Sequence, residues 1–148
     1  MSIFDALSVS VSAMQAERQR AEVVAANMAN AETTRTSAGG PFRRREVVFQ
    51  SAGSTPFQVA LAHMGGASSP PTVAVRVADV VDDPTPPVLR YEPGHPDANQ
   101  DGYVAYPAIN PAMEMVDMMS AVRAYQLNAS AVTATKQMIQ QSIDILKS

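Results

Sequence analysis

The chain has 148 residues and a formal net charge of −3. That is long enough for one domain with a real core, and it lacks the basic excess of a nucleic-acid surface. There is no cysteine, which excludes disulfides, thiolate metal sites and cysteine nucleophiles.

No stretch is apolar for long enough to cross a bilayer. The opening "MSIFDALSVSVSAMQAERQR" lacks the basic start and unbroken apolar run of a secretory signal, so export by a cleaved leader is not expected. All eleven prolines fall between Pro41 and Pro111, and all seven glycines between Gly39 and Gly102. Both residues interrupt helices, so the chain reads as helix, broken middle, helix. The expected divisions are 1–34, 35–110 and 111–148, and the fold class is α+β.

A helix is predicted near residues 3–30. Phe4, Leu7, Val11, Met14, Arg18, Ala21, Ala25 and Met28 recur at alternating spacings of three and four, and only Arg18 breaks the apolar stripe. Asn27 and Asn30 share a face near its end. Asparagine is a poor helix former and a good terminator. Alternatively the two amides bond to a neighbouring subunit, with Ala26 and Ala29 allowing close approach. Arg43, Arg44 and Arg45 form the only basic cluster. They are read either as a solvated face or as partners for Asp82 and Asp83 of a neighbouring chain.

The middle reads as short antiparallel strands and turns. "TVAVRVADV" (72–80) alternates, with Val73, Val75 and Val77 on one face and Ala74, Arg76 and Ala78 on the other. Weaker candidates are "EVVFQ" (46–50), "FQVALA" (57–62), "PVLRY" (87–91) and "GYVAY" (102–106). The proline-rich breaks "GGASSPP" and "DDPTPP" separate them.

"PGHPDANQDGYVAYP" (93–107) carries the densest polar chemistry. Asp97, Asn99 and Asp101 with Gly102 resemble the start of a calcium-binding EF-hand loop. The spacing then fails, because the bidentate carboxylate due at position 12 falls on Ala108, and Pro93, Pro96 and Pro107 leave no room for an entering helix. A rigid connector is expected instead, with Asp97 and Asn99 bonding nearby backbone and Gly102 supplying a permissive conformation. No hydrolase elbow, phosphate loop or H-E-x-x-H pair is present, and the two histidines, His63 and His95, lack obvious partners. Neither catalysis nor a cofactor is expected.

A second helix is predicted over 111–146, with Asn110 as its cap and Pro111 at its first position. Glu114 and Asp117 place negative charge near the positive end of the helix dipole. Its stripe is Met115, Met118, Val122, Tyr125, Ala129, Val132, Lys136, Ile139, Ile143 and Leu146. Two narrow stripes suit helix-to-helix packing as an antiparallel coiled coil. If Leu7 lies opposite Leu146, Arg18 comes level with Lys136. Two facing cations then call for water, a neighbouring chain, or carboxylates such as Glu17 and Glu22. The methionines near the start of this helix are read as packing residues that also suit non-identical neighbours.

Two stretches carry more than pattern. "SAMQAERQRAEVVAANMANAETTRT" (12–36), followed by "GGPFRRREVVF" (39–49), resembles the amino-terminal signature of bacterial flagellar rod and hook proteins. "YEPGHPDANQDGYVAYPAIN" (91–110), running into "EMVDMMSAVRAYQLNASAVTATKQM" (114–138), is similar to the proximal-rod members of that family. The resemblance implies a structural protein whose terminal helices line a hollow, torque-transmitting axial tube and order on assembly. The middle segment would touch neighbouring subunits.

It also implies export through the flagellum's own type III apparatus and residence in the periplasmic part of the rod. The implied partners are copies of the chain, rod proteins above and below, and the surrounding rings, with no nucleic acid and no direct membrane insertion. The residues expected to serve assembly are Leu7, Val11 and Met14, the motif residues Asn27, Asn30, Thr33 and Thr34, and Arg43 and Arg44. The connector adds His95, Asp97 and Asn99, and the last helix adds Met115, Met118, Val122, Tyr125, Asn128, Ile139 and Ile143. A calcium-responsive module around 97–102 and a soluble helical export adaptor remain the alternatives at this point.

Overall fold

A computed structural model describes residues 3–52 and 74–147. The elements run α1 (Ile3–Ala29), β1 (Arg45–Ala52), β2 (Ala74–Asp82), β3 (Val88–Tyr91), β4 (Tyr103–Tyr106) and α2 (Pro111–Lys147). This is an α+β chain with two long terminal helices packed together and two small antiparallel sheets between them. The candidate strand at 57–62, the glycine-rich stretch after it and His63 lie outside the described residues. No described helix is long and apolar enough to cross a membrane.

The helix ends follow their local chemistry. Asn110 caps α2, its Oδ1 accepting the Ala112 N–H at 3.0 Å, while Pro111 takes the first helical position. Helix α1 stops at Ala29, where the Ala26 carbonyl accepts both the Asn30 backbone N–H at 3.1 Å and the Asn30 side-chain amide at 2.9 Å. The chain then turns back through Gly39 and Gly40, both at positive φ (85° and 74°), and the Phe42 N–H reaches the Thr33 carbonyl at 3.0 Å.

The described residues form two compact units. One holds Gln19–Val48 and Asp79–Ala121, and the other holds the remainder. In the first, α1 and α2 run antiparallel: Arg20 meets Asp117 at 3.2 Å and Asn27 meets Glu114 at 3.0 Å, so one helix ascends as the other descends. Strands β3 and β4 pair from Val88↔Tyr106 to Tyr91↔Tyr103, with Val104 and Tyr106 facing the core. In the other unit the Val75 N–H of β2 donates to Ser12 Oγ of α1 at 3.1 Å. Val75 and Val77 are half-buried there while Arg76 and Ala78 are exposed, in keeping with the alternation read from the sequence.

Two expectations about the helices are corrected. The most deeply covered residues of α2 are Glu114 and Ala121, one position before Met115 and Val122, which are 53% and 44% exposed. A rule that counts apolar residues cannot see a buried carboxylate, so it misplaces the start of the stripe by one residue, whereas Met118, Ala129, Val132 and Ile139 are half-buried as read. The register also differs. Arg20 bonds Asp117, which precedes Lys136 by a helical rise of about 28 Å, so Arg18 does not come level with Lys136.

Candidate assembly site

The end of α1, the entry to β1 and the start of α2 converge on one buried polar cluster. Asn27 is fully buried. Its Oδ1 accepts the Arg45 N–H at 2.9 Å and its Nδ2 donates back to the Arg45 carbonyl at 2.9 Å, so one side chain stands in for a neighbouring strand. The same Nδ2 donates to Glu114 Oε2 at 3.0 Å. Glu114, only 1% exposed, accepts from Arg44 Nε through Oε1 at 2.6 Å. A carboxylate so deeply desolvated needs a cation and donors beside it, and both are present.

Arg44 serves several carboxylates at once. Besides Glu114 it pairs with Glu46, approaches Asp117 at 3.6 Å and lies 3.9 Å from Asp83. Burial pulls its basicity down, but the bonds and charges of Glu114 and then Glu46 outweigh that and hold it above its ordinary value. Asp83 is held below the usual carboxylate range, chiefly by the Thr85 hydroxyl and N–H and also by Arg44. Asp117 is shared with Arg20. Arg45 pairs with Asp82 at 3.5 Å on the exposed side.

The connector between β3 and β4 is tied down from within. Asn99 Oδ1 accepts the N–H groups of Asp101 (3.0 Å) and Tyr103 (2.8 Å), and His95 Nδ1 accepts the Asp97 N–H (3.1 Å). Gly102 sits at φ 80°, and a Cβ there would come 2.9 Å from the Tyr91 ring. Asp97 behaves differently from the expectation that it bonds nearby backbone. Its carboxylate accepts from Thr34 Oγ1 at 2.8 Å and lies 3.5 Å from Arg35. The oxygens of Asp97 and Asn99 that resembled calcium ligands are thus turned to protein donors. Among the described residues no group of three or more His, Cys, Asp and Glu is arranged to hold a metal ion. Tyr106 donates to Glu92 at 2.9 Å, and that bond raises its hydroxyl above the ordinary tyrosine value.

The structure therefore brings Asn27, Arg44, Thr34 and Asp97 into contacts within the chain. Asn27 has both amide hydrogens and its oxygen engaged internally, unlike the intersubunit role read for it. Asn30 likewise bonds Ala26, and its Oδ1 accepts from Thr33. Arg44 and Arg45 find their acids, Asp83 and Asp82, in their own chain rather than a neighbour's, leaving Arg43 exposed. Asn128 bonds Ala124 within its helix.

The apolar positions divide. Leu7, Met14, Met118 and Ile139 are half-buried, whereas Val11, Met115, Val122, Tyr125 and Ile143 are exposed, as are Met113, Val116 and Met119 beside them. Sequence reasoning missed Glu114, Asp117 and Arg20 as partners. The available signal was an acid pair opening a helix in a chain with one arginine run, and it was credited to the helix dipole alone.

Two family profiles match the chain. One described as "Flagella basal body rod protein" covers residues 7–35, and one described as "Flagellar basal body rod FlgEFG protein C-terminal" covers residues 100–145. Among curated relatives, a flagellar basal-body rod protein FlgC of Bacillus subtilis is 38% identical over 99% of this chain and 100% of its own length. Those of Borreliella burgdorferi and Escherichia coli are each 34% identical over 98% or more of both chains.

Proposed function

The chain belongs to the flagellar basal-body rod protein FlgC family, and from that premise we propose that it is a structural subunit of the rod that acts by assembling. The observation that carries this reading is end-to-end similarity to rod proteins, with both terminal helices inside the matched regions. The unsatisfied apolar surface on α2, at Met113, Met115, Val116, Met119 and Val122, supports it physically. On a lone chain such a face is a liability, and in a packed tube it is an interface.

Residues 1–34 and 111–148 form the inner helical layer of a hollow tube that transmits torque, and residues 35–110 the outer portion. Copies of the chain and other rod components are its partners, with the surrounding rings next to the outer portion. The subunit resides in the periplasmic part of the basal body. Leu7, Val11, Met14, Met115, Met118, Val122, Tyr125, Ile139 and Ile143 supply the apolar contacts, and Arg43 a polar one. Deleting the gene in its host bacterium and imaging the basal bodies tests this. The expected result is loss of rods and motility, both restored by the intact gene. Complete rods in the deletion strain overturn it.

A further inference from the structure

We propose that the recess beside Arg43 and Arg45 is a socket for the Asp101 carboxylate of a second copy of this chain, a contact that rests on the rod-subunit reading above. The recess has a volume of about 330 Å³ and is walled by the glycine-bearing loop after α1 together with Arg43, Arg45 and Asp82. Arg44 turns inward to Glu114, while Arg43 and Arg45 on either side of it are exposed. Arg45 lies 5.5 Å over the Phe42 ring and 3.5 Å from Asp82. Among the described residues no carboxylate pairs with Arg43. Two cations against one carboxylate leave the recess with a positive charge to be answered from outside, and an arginine fork suits a carboxylate.

The acids of the chain narrow the choice of occupant. All fourteen lie within the described residues, and all but Glu32 and Asp101 have a bonding or ionic partner in their own chain. Glu32 acts on the Tyr106 hydroxyl, so its charge is felt within its own chain. Asp101 is left. It is exposed in the turn before β4, and its backbone is already held. Asn99 Oδ1 accepts its N–H at 3.0 Å and the Tyr103 N–H at 2.8 Å, and the Gly102 N–H reaches the Asn99 carbonyl at 3.0 Å. A carboxylate presented on a fixed turn loses little freedom on docking. Recess and turn are separate segments, so each copy gives one contact and receives another. Head-to-tail contacts of that kind build rings and helices rather than closed pairs.

The absence of cysteine from the chain makes the contact directly testable. Arg43→Cys and Asp101→Cys chains are expressed together in the host, alongside the wild-type chain so that rods still form, and isolated basal bodies are treated with a short bis-maleimide. A covalent dimer is expected from the two variants together and none from either alone. In a strain carrying only the variant gene, Arg43→Glu and Asp101→Arg should each lower the number of completed rods about ten-fold or more, and the two combined in one chain should recover it to within about two-fold of wild type. Neither reversal should move the unfolding midpoint of the free chain, and if one does, the cysteine pair decides. No dimer in rods that contain both cysteine variants overturns the contact, as does a dimer from either variant alone. So do single reversals that build rods normally, or a combined chain as defective as its parents, which would assign the acid to a different rod component. The rod-subunit reading itself falls only if the deletion strain completes its rods.

Discussion

Arg44 and Glu114, seventy positions apart in the chain, meet at 2.6 Å with the glutamate sealed from solvent. The pair is asymmetric. Among the described residues the Glu114 carboxylate bonds only Arg44 and Asn27, whereas Arg44 also has Glu46, Asp83 and Asp117 within reach.

That asymmetry predicts unequal costs of removing either partner. Arg44→Met strands a buried carboxylate and is expected to destabilise the chain by about 3 kcal/mol. Glu114→Leu removes the buried charge and leaves Arg44 with other acids, for a loss of about 1 kcal/mol. Urea unfolding of the two variants measures both. Equal losses would show that Arg44 is not shared in this way.

Gly102 and Gly94 lie in the same connector but should respond differently to alanine. At Gly102 the backbone is left-handed and a Cβ would press on Tyr91 and Pro93, so Gly102→Ala is expected to cost about 2 kcal/mol. At Gly94 nothing lies within 4 Å and no left-handed φ is required, so the same change should fall within about 0.5 kcal/mol of neutral. Thermal denaturation of the pair is the check.

Stability should decline at both pH extremes for separate reasons. Asp83 is depressed below its ordinary 3.8, so its stabilising contribution is present above that value and is lost as pH falls through the lower, folded value. Asp83→Asn should flatten the acid limb. Tyr106 is raised above its ordinary 10.0, so its contribution is present below that value and disappears as pH rises through the higher, folded one. Tyr106→Phe should flatten the alkaline limb. Unfolding midpoints across the pH range test both signs.

Thr34 and Asp97 join the turn after α1 to the connector through one 2.8 Å bond. A double-mutant cycle of Thr34→Val and Asp97→Asn is expected to yield a coupling of about 1 kcal/mol. Additive losses would show that the two segments are held together by other contacts.

Exposed apolar positions on α2 should separate assembly from folding. Met115→Ser and Val122→Ser are expected to change the stability of the free chain by no more than about 0.5 kcal/mol. The same changes should prevent rod completion in cells, read by electron microscopy of basal bodies. Variants that build normal rods would remove these two positions from the interface.

The boundaries of both helices were legible in the sequence because their causes are local. Asn110 and Pro111 start α2 through their own geometry, and the clustering of glycine and proline confines the broken middle. The turn chemistry of Asn99 and Gly102 was legible for the same reason. The buried cluster was not. Asn27, Arg44 and Glu114 come from three distant segments, and each has an adequate local explanation as terminator, surface charge or dipole complement. Only the fold shows that they satisfy one another. The misplaced start of the stripe on α2 follows from the same error, since Glu114 occupies a place that hydrophobic counting reserves for an apolar residue.

The Asp83 N–H donates to the Arg44 carbonyl at 2.7 Å, which fastens the two ends of the β1–β2 arm to each other. Arg44 thus holds the base of the arm with its carbonyl while its side chain meets Glu114, so one residue anchors both the strand ends and the buried cluster.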